Sequence, residues 1–304
     1  MSVKFGVCAD LHTEYIHDAL ERFNVFHSAC EKNNVDFCIQ LGDFCPPGDM
    51  NYQQKEAILS VIENSKIPFY HVIGNHDTDR NTKKQVTDFY NIENPYYSFD
   101  FNNFHFVVID ACYYCQNSQY ISYSNGNYQK ATELDFIPVV SDTQLDWLSE
   151  DLKKAKYPTI LFSHQSLVES RAGIKNADKL RRVLSFAKKG VIAAFCGHEH
   201  VDRMQKVEDV FYCCINSMSY YWAGSKYDHT TYGDNIESDY PFLRKVFPYK
   251  EPLYAIVEID DKLIRIKGVS SEFVGELPSQ IGFVKESLTD DIVPYVSNRI
   301  IEIK

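Results

Sequence analysis

Nothing in this 304-residue chain approaches the roughly 18 consecutive apolar residues that cross a bilayer. Its opening stretch, MSVKFGVCADLHTEY, has no long apolar core followed by a cleavage site. No membrane association is expected, and the chain reads as cytoplasmic. A basic surplus is missing as well: 31 Lys and Arg stand against 42 Asp and Glu, a formal charge of -11. A surface of that sign repels a polyanion, so no nucleic acid polymer is expected as a partner. There is no internal repeat and no low-complexity tract. Of the nine cysteines, Cys8, Cys38, Cys196, Cys213 and Cys214 fall inside apolar runs, while the pair Cys112 and Cys115 has no second pair to complete a zinc knuckle. Reduced, buried thiols are the expectation.

What is present is enough apolar material for a sizeable core, 44% hydrophobic and 14% aromatic residues. Short β-rich runs alternate with helical patterns. KFGVCAD, VDFCIQLGD and PFYHVIGNHD read as strands nearly continuous in apolar character, as when a sheet is covered on both faces. Residues 14–34, 52–65, 142–155 and 176–188 carry helical spacing. YYSFDFNNFHFVVIDAC reads as a hairpin turning at Asn102 and Asn103, and later runs around 203–218 and 253–270 are hairpin-like. Residues 113–140 and 219–250 are polar and aromatic without a period, and read as long loops or caps. The sum is a mixed α/β (α+β) protein, one domain over residues 1–270 and a C-terminal extension over 271–304 packed on it.

Five short segments, each at the end of an expected strand, gather the chemistry: ADLH (Asp10, His12), LGDF (Asp43), GNHD (Asn75, His76, Asp77), FSHQ (His164) and GHEH (His198, His200). Ligands bind at the carboxyl ends of strands in open α/β sheets, so residues remote in sequence can meet there. Residues i and i+2 of an extended segment point the same way, which would aim Asp10 with His12, and His198 with His200, at one place. Oxygen donors mixed with four imidazoles suit Mn, Fe, Zn or Co rather than Ca. Seven donors exceed one tetrahedral site; a bridging carboxylate would let them hold two ions about 3.5–4 Å apart, as phosphoryl-transfer sites do.

Taken in order, these blocks resemble the calcineurin-like metallophosphoesterase superfamily over roughly residues 3–202, with most similarity to its cyclic-nucleotide phosphodiesterase and nucleotide pyrophosphatase branch. The resemblance implies a four-layer αββα sandwich and a cofactor of two divalent or trivalent metal ions. Asp10, His12 and His200 would hold one ion, Asn75, His164 and His198 the other, with Asp43 between them. His76 would contact phosphate and protonate the leaving group; Asp77, grouped with it as catalytic, would orient the backbone or a neighbouring group. The implied reaction is attack by a metal-bridging hydroxide on a phosphodiester or pyrophosphate of a small phosphorylated, nucleotide-type substrate. A phosphomonoesterase and a non-catalytic scaffold are the alternatives. The protein Ser/Thr phosphatase branch is disfavoured, because FCPPGDM follows Gly42-Asp43 in place of that branch's Asp-Arg-Gly.

Other candidates have plainer readings. His17, His27, His71, His105 and His229 read as structural or surface residues. Asp110, at a strand end, suits a turn cap. Glu199 would point away from its histidine neighbours. Tyr220, Tyr221 and Trp222 follow GHEH by one hairpin; the two tyrosines are assigned, with Asn75 and His76, to substrate binding, since aromatic faces there could stack a nucleobase.

Overall fold

The computed structural model describes residues 2–130, 138–168, 172–283 and 292–303. The chain begins β1 (Val3–Cys8), α1 (Ala19–Lys32), β2 (Phe37–Gln40), α2 (Tyr52–Asn64), β3 (Phe69–His71) and α3 (Lys83–Phe89). It continues through the hairpin β4 (Tyr97–Phe101) and β5 (Phe104–Val108), the small hairpin β6 (Tyr113–Gln116) and β7 (Gln119–Ser122), and α4 (Asp142–Lys154). Next come β8 (Thr159–Phe162), α5 (Ala177–Leu184), β9 (Val191–Cys196), β10 (Arg203–Val207) and β11 (Val210–Cys214). The last elements are β12 (Tyr220–Trp222), α6 (Asp234–Glu237), β13 (Val246–Pro248), β14 (Ala255–Ile259), β15 (Leu263–Gly268) and β16 (Arg299–Glu302).

Two six-stranded sheets result, ordered β16-β15-β14-β1-β2-β3 and β10-β11-β9-β8-β5-β4. Strands β1, β2 and β3 run parallel, as do β5, β8, β9 and β11. The sheets pack face to face through aromatic rings: Phe5 meets Phe106, Phe162 and Phe195 edge-on at 5.7–6.1 Å. A second cluster joins the outer face of the first sheet to α1, α2 and α3, and a third joins the outer face of the second sheet to α4 and α5. This is the αββα sandwich. It explains why β5 (FHFVV) and β8 (TILF) are buried along their whole length. The helices carry their own stop signals: Ser141 caps α4 by accepting from Gln144 N, Asp142 sits in the first turn and Lys153 and Lys154 in the last. Thr82 and Gln85 close a capping box on α3.

Three boundaries differ from the sequence reading. The helix expected from residue 14 begins at Ala19, because residues 13–18 fasten the loop after β1: Thr13 bonds the Phe44 carbonyl, and Asn51 reaches back to the Thr13 carbonyl at 2.6 Å. Residues 113–140 are not one loop. They open with the β6–β7 hairpin and a small core of Cys112, Tyr114, Tyr123 and Tyr128, while residues 131–137 lie outside the described ones. Likewise 219–250 contains β12 paired with β13, and α6. In both stretches tyrosine supplies apolar ring area without registering as an apolar pattern. The C-terminal segment returns as the edge strand β16, held by Asp202, which accepts from Ser297 and Arg299.

Candidate metal centre

The parallel strands β1, β2 and β3 and their counterparts β8 and β9 all deliver their carboxyl ends to one edge of the sandwich. Asp10 and His12 follow β1, Asp43 follows β2, Asn75 follows β3, His164 follows β8, and His198 and His200 follow β9. The structure brings all seven to this edge, but not by extended geometry. Asp10, His12, Asp43, His198 and His200 have φ of 55°, 54°, 51°, 70° and 52°, the left-handed region. Each such residue costs about 1–2 kcal/mol, and the cost is met by fixed partners: Asp10 N donates to Gly42 O, His12 N to Asp43 O, and Met218 N to Ala9 O. The hydroxyls of Ser217 and Ser219 donate to the carbonyls of Asp10 and Leu11. Close approach sets two glycines. A Cβ on Gly74 would stand 2.1 Å from Asp43 Oδ1, and one on Gly197 would stand 2.6 Å from Asp10 Oδ2.

Two triads form, Asp10 with His12 and His200, and Asp43 with His164 and His198. Within the first, His12 Nε2 lies 3.1 Å from His200 Nε2, which lies 3.3 Å from Asp10 Oδ1. Within the second, His164 Nε2 lies 3.1 Å from Asp43 Oδ2, from Asn75 Oδ1 and from His198 Nδ1. Donors each about 2.1 Å from one ion at tetrahedral or octahedral angles are about 3.0–3.4 Å apart; the pairs at 3.1–3.3 Å match that spacing in each triad, while His12 Nε2 to Asp10 Oδ1 is longer at 3.9 Å. The tautomers fit too. His164 Nδ1 donates to Leu41 O and His200 Nδ1 to Tyr220 O, both at 2.7 Å, which leaves each Nε2 lone pair facing the cluster.

The charges call for cations. Asp10 and Asp43 are 0% and 2% exposed. Burial alone would lift the Asp43 carboxyl, but the imidazoles of His164 and His76 hold it well below the usual range. Burial opposes charge on His164, yet Asp43 raises it to about 9. Burial drives His12 down to about 3, against the pull of Asp43, and holds His198 well below its ordinary value. Asp43 thus acts on histidines of both triads, as a carboxylate between two ions would. Bound cations would displace the protons that otherwise answer this demand.

His76 lies beside the centre with 38% of its side chain exposed, its ring 5.3 Å from that of His12. Its backbone N–H donates to Asp43 Oδ1 at 2.7 Å and its Nδ1 meets Asp79 Oδ2 at 2.8 Å. Burial disfavours its charged form, but Asp43 and Asp79 outweigh that and raise it to about 9. Asp77 is fully buried behind the ligands and touches backbone: its carboxylate accepts from Asp43 N, Phe44 N and Gly74 N at 2.8–3.1 Å, tying the loops after β2 and β3 together. Burial and the Asp43 charge lift it to about 7, against the pull of those N–H groups.

Asp79 escaped the sequence reading although it stands one helical turn beyond His76. It also receives the hydroxyls of Tyr15 and Tyr128 and the Gln129 amide. Tyr220 is 1% exposed and stacks on His12 at 5.1 Å, beneath a candidate ligand rather than open to a substrate. Tyr221 turns to the other side of β12 and meets Phe283. Asp110 caps its turn, accepting from Cys112 N at 2.9 Å, and pairs with Lys83. Glu199 turns to Arg203.

The chain is 28% identical over 215 residues to tartrate-resistant acid phosphatase type 5 of Rattus norvegicus and 26% identical over 218 residues to that of Homo sapiens. Each match covers 60% of this chain and 64% of the relative, so the chain spans under two thirds of the length of these curated relatives. A dimetal phosphatase from Danio rerio shares the fold, with a TM-score of 0.64 at 14% identity over 90% of this chain and 98% of that one. The calcineurin-like phosphoesterase model matches residues 3–202, a stretch that holds every member of both triads, and the chain belongs to that family.

Proposed function

We propose that this protein is a dinuclear metal-dependent hydrolase that cleaves a phosphodiester or pyrophosphate bond of a small, nucleotide-type substrate. The observation that carries the reading is the pair of triads at one edge of the sandwich, every member buried except the half-buried His198. In this reading Asp10, His12 and His200 hold one ion, Asn75, His164 and His198 the other, and Asp43 serves both; Mn, Fe and Zn suit the mixed nitrogen and oxygen donors. Two such ions supply Lewis acidity toward the phosphoryl oxygens and an activated water as nucleophile. The chain's own residues do the rest. His76, half-buried, keeps a proton at Nε2 for the departing oxygen; Asp43 holds its backbone N–H and Asp79 holds its ring at Nδ1. The Asn75 amide, held by the Tyr128 hydroxyl at 3.3 Å, keeps its oxygen turned to His164. Asp77 fixes the two ligand-bearing loops without touching the substrate.

The diester reading rests on the motif pattern, in which a separate histidine and GHEH follow GNHD. The acid phosphatases among its relatives favour a second reading, a phosphomonoesterase. Elemental analysis of the purified protein, followed by turnover of bis-p-nitrophenyl phosphate and p-nitrophenyl phosphate with Mn, Fe, Zn and Mg in turn, decides between them. Two metal equivalents and preference for the diester are expected. Preference for the monoester selects the second reading, and a metal-free, inert protein refutes both.

A further inference from the structure

The segment after the β6–β7 hairpin is fastened to the turn that carries His76. Ser124 bridges Thr82, Asn125 N donates to Asn81 O at 2.9 Å, and Gly126 N donates to Thr78 O at 3.0 Å. The chain then makes a short 3-10 turn, Asn127–Lys130, which carries Tyr128 inward. Its ring is 2% exposed and stacks on Tyr123 at 4.5 Å, so the hydroxyl has little freedom to choose its neighbours. It meets Asp79 Oδ1, Asn75 Nδ2 at 3.3 Å and Gln129 Nε2 at 3.4 Å.

Donor and acceptor chemistry fixes the direction of these bonds. A phenol has one hydrogen to give and oxygen lone pairs to receive with. The Asp79 carboxylate can only accept and an amide NH2 can only donate. The phenol hydrogen therefore goes to Asp79, and Asn75 gives one of its own to the phenol oxygen. On one side, Asp79 Oδ1 is held by Tyr128 while Oδ2 takes His76 Nδ1 at 2.8 Å, so the carboxylate that orients the imidazole is fixed at both oxygens. On the other, turning the Asn75 amide over would set its oxygen against a phenol oxygen whose one hydrogen already goes to Asp79. Tyr128 thus keeps Nδ2 to itself and leaves Oδ1 toward His164 Nε2, 3.1 Å away. Only the oxygen of an amide has lone pairs for a cation.

We infer that Tyr128 is a positioning residue of the proposed hydrolase: one hydroxyl sets both the proton donor, through Asp79, and the ligand Asn75 of the second ion. The inference rests on that reaction and adds to it a residue that acts only through others.

Tyr128→Phe removes the hydroxyl and keeps the ring, with Tyr123→Phe as the control in the same stack. Binding is read first, without turnover: Mn(II) is titrated into the metal-free proteins and the free ion is followed by electron paramagnetic resonance. Losing a partner behind a ligand costs about 10- to 100-fold in metal affinity. One of two Mn should weaken by that factor in Tyr128→Phe, and neither in Tyr123→Phe. Turnover is then compared at saturating Mn on methyl p-nitrophenyl and methyl phenyl phosphate, and on p-nitrophenyl and phenyl phosphate. Phenolate is the more basic leaving group and needs the His76 proton more. In Tyr128→Phe, kcat should fall with KM little changed. The phenyl-to-p-nitrophenyl ratio of kcat should drop about tenfold, part of the roughly 100- to 10,000-fold that a placed proton donor supplies. In an Asp79→Asn background the same substitution should leave that ratio where it is. Equal falls on the two leaving groups, or a further tenfold drop in the Asp79→Asn background, overturn the role through Asp79. Two undisturbed Mn overturn the hold on Asn75. Both signatures in Tyr123→Phe would make the effect a general loosening of the segment and overturn the inference outright. A parent that binds two Mn, one weakened in Tyr128→Phe, yet cleaves none of these esters refutes the hydrolase reading together with the role through His76, and leaves the hold on Asn75 standing.

Discussion

Gly74→Ala adds one methyl group at the point where the loops after β2 and β3 touch. The new Cβ would stand 2.1 Å from Asp43 Oδ1, 2.3 Å from Asp43 N and 2.8 Å from Asp43 Cγ. Contacts that short do not persist, so the loops must part by about 1 Å. Asp43 cannot yield locally: its N–H is tied to Asp77, its φ is 51°, and its Oδ1 holds His76 N at 2.7 Å. Overpacking of this kind costs about 1–3 kcal/mol, and loosening a hydrogen bond to a charged acceptor adds about 1–2 kcal/mol. Unfolding of the metal-free variant in urea should therefore show a loss of about 2–5 kcal/mol, measured without metal because bound ions add their own stabilisation. A shift of about 1 Å in a reacting group costs about 100-fold in rate. Elemental analysis should find fewer than two metal equivalents, since Asp43 serves both ions in the proposed centre. Gly190→Asn is the control: nothing lies within 4 Å of a Cβ there, and its φ of 77° is one asparagine tolerates. A Gly74→Ala protein with two metal equivalents, full stability and turnover within about tenfold of the parent would refute the argument that this contact pins Asp43.

Asp43→Asn should lower occupancy of both metals and abolish turnover of an aryl phosphodiester, whereas His76→Ala should retain metal and lose mainly kcat, by about 100- to 10,000-fold; equal metal loss in the two variants contradicts their separate roles. Asp79→Asn removes the carboxylate that steadies His76, Tyr15 and Tyr128, and should lower kcat with little change in metal content; an unchanged kcat would show that the Asp79 contact is not what places the ring. Far from the centre, His105 bridges Asp100 and Asp151 at 2.7 and 2.8 Å. Burial alone would lower its pKa, but the bonds to Asp151 and Asp100 raise it. Because the folded value lies above the unfolded one of about 6.5, its contribution is complete below that pH and is lost as pH rises through the folded value. His105→Gln should flatten this alkaline loss in a series of urea midpoints; an identical slope in the variant would show that these ion pairs do not form.

The candidate donors could be picked out of the sequence because metal chemistry admits few residue types: histidine, aspartate and asparagine at the ends of apolar runs stand out wherever the chain bends. The means of convergence was not. The i, i+2 rule predicts that Asp10 and His12 share a direction in extended chain, yet both sit at left-handed φ. Their direction is chosen by hydrogen bonds to Gly42 and Asp43, residues more than thirty positions away. No local pattern encodes a choice made by another loop. The same holds for the tyrosine-rich stretches. Tyr123 and Tyr128 stack at 4.5 Å in a small core beside Asn75, and Tyr220 supports His12, because tyrosine can bury its ring while its hydroxyl bonds a polar partner.

Asp79 shows the remaining gap most clearly. In sequence it is one of two acidic residues after His76, and Asp77, the nearer, invites the catalytic assignment. The turn that starts at His76 is a short 3-10 helix spanning His76–Thr78. One step along it sends Asp77 inward, to the N–H groups of Asp43, Phe44 and Gly74; three steps bring Asp79 back to the face of His76. Two carboxylates two residues apart thus take opposite jobs, one bracing the ligand loops from behind and one holding the exposed imidazole in front. The helical turn, rather than distance along the chain, decides which carboxylate the histidine receives.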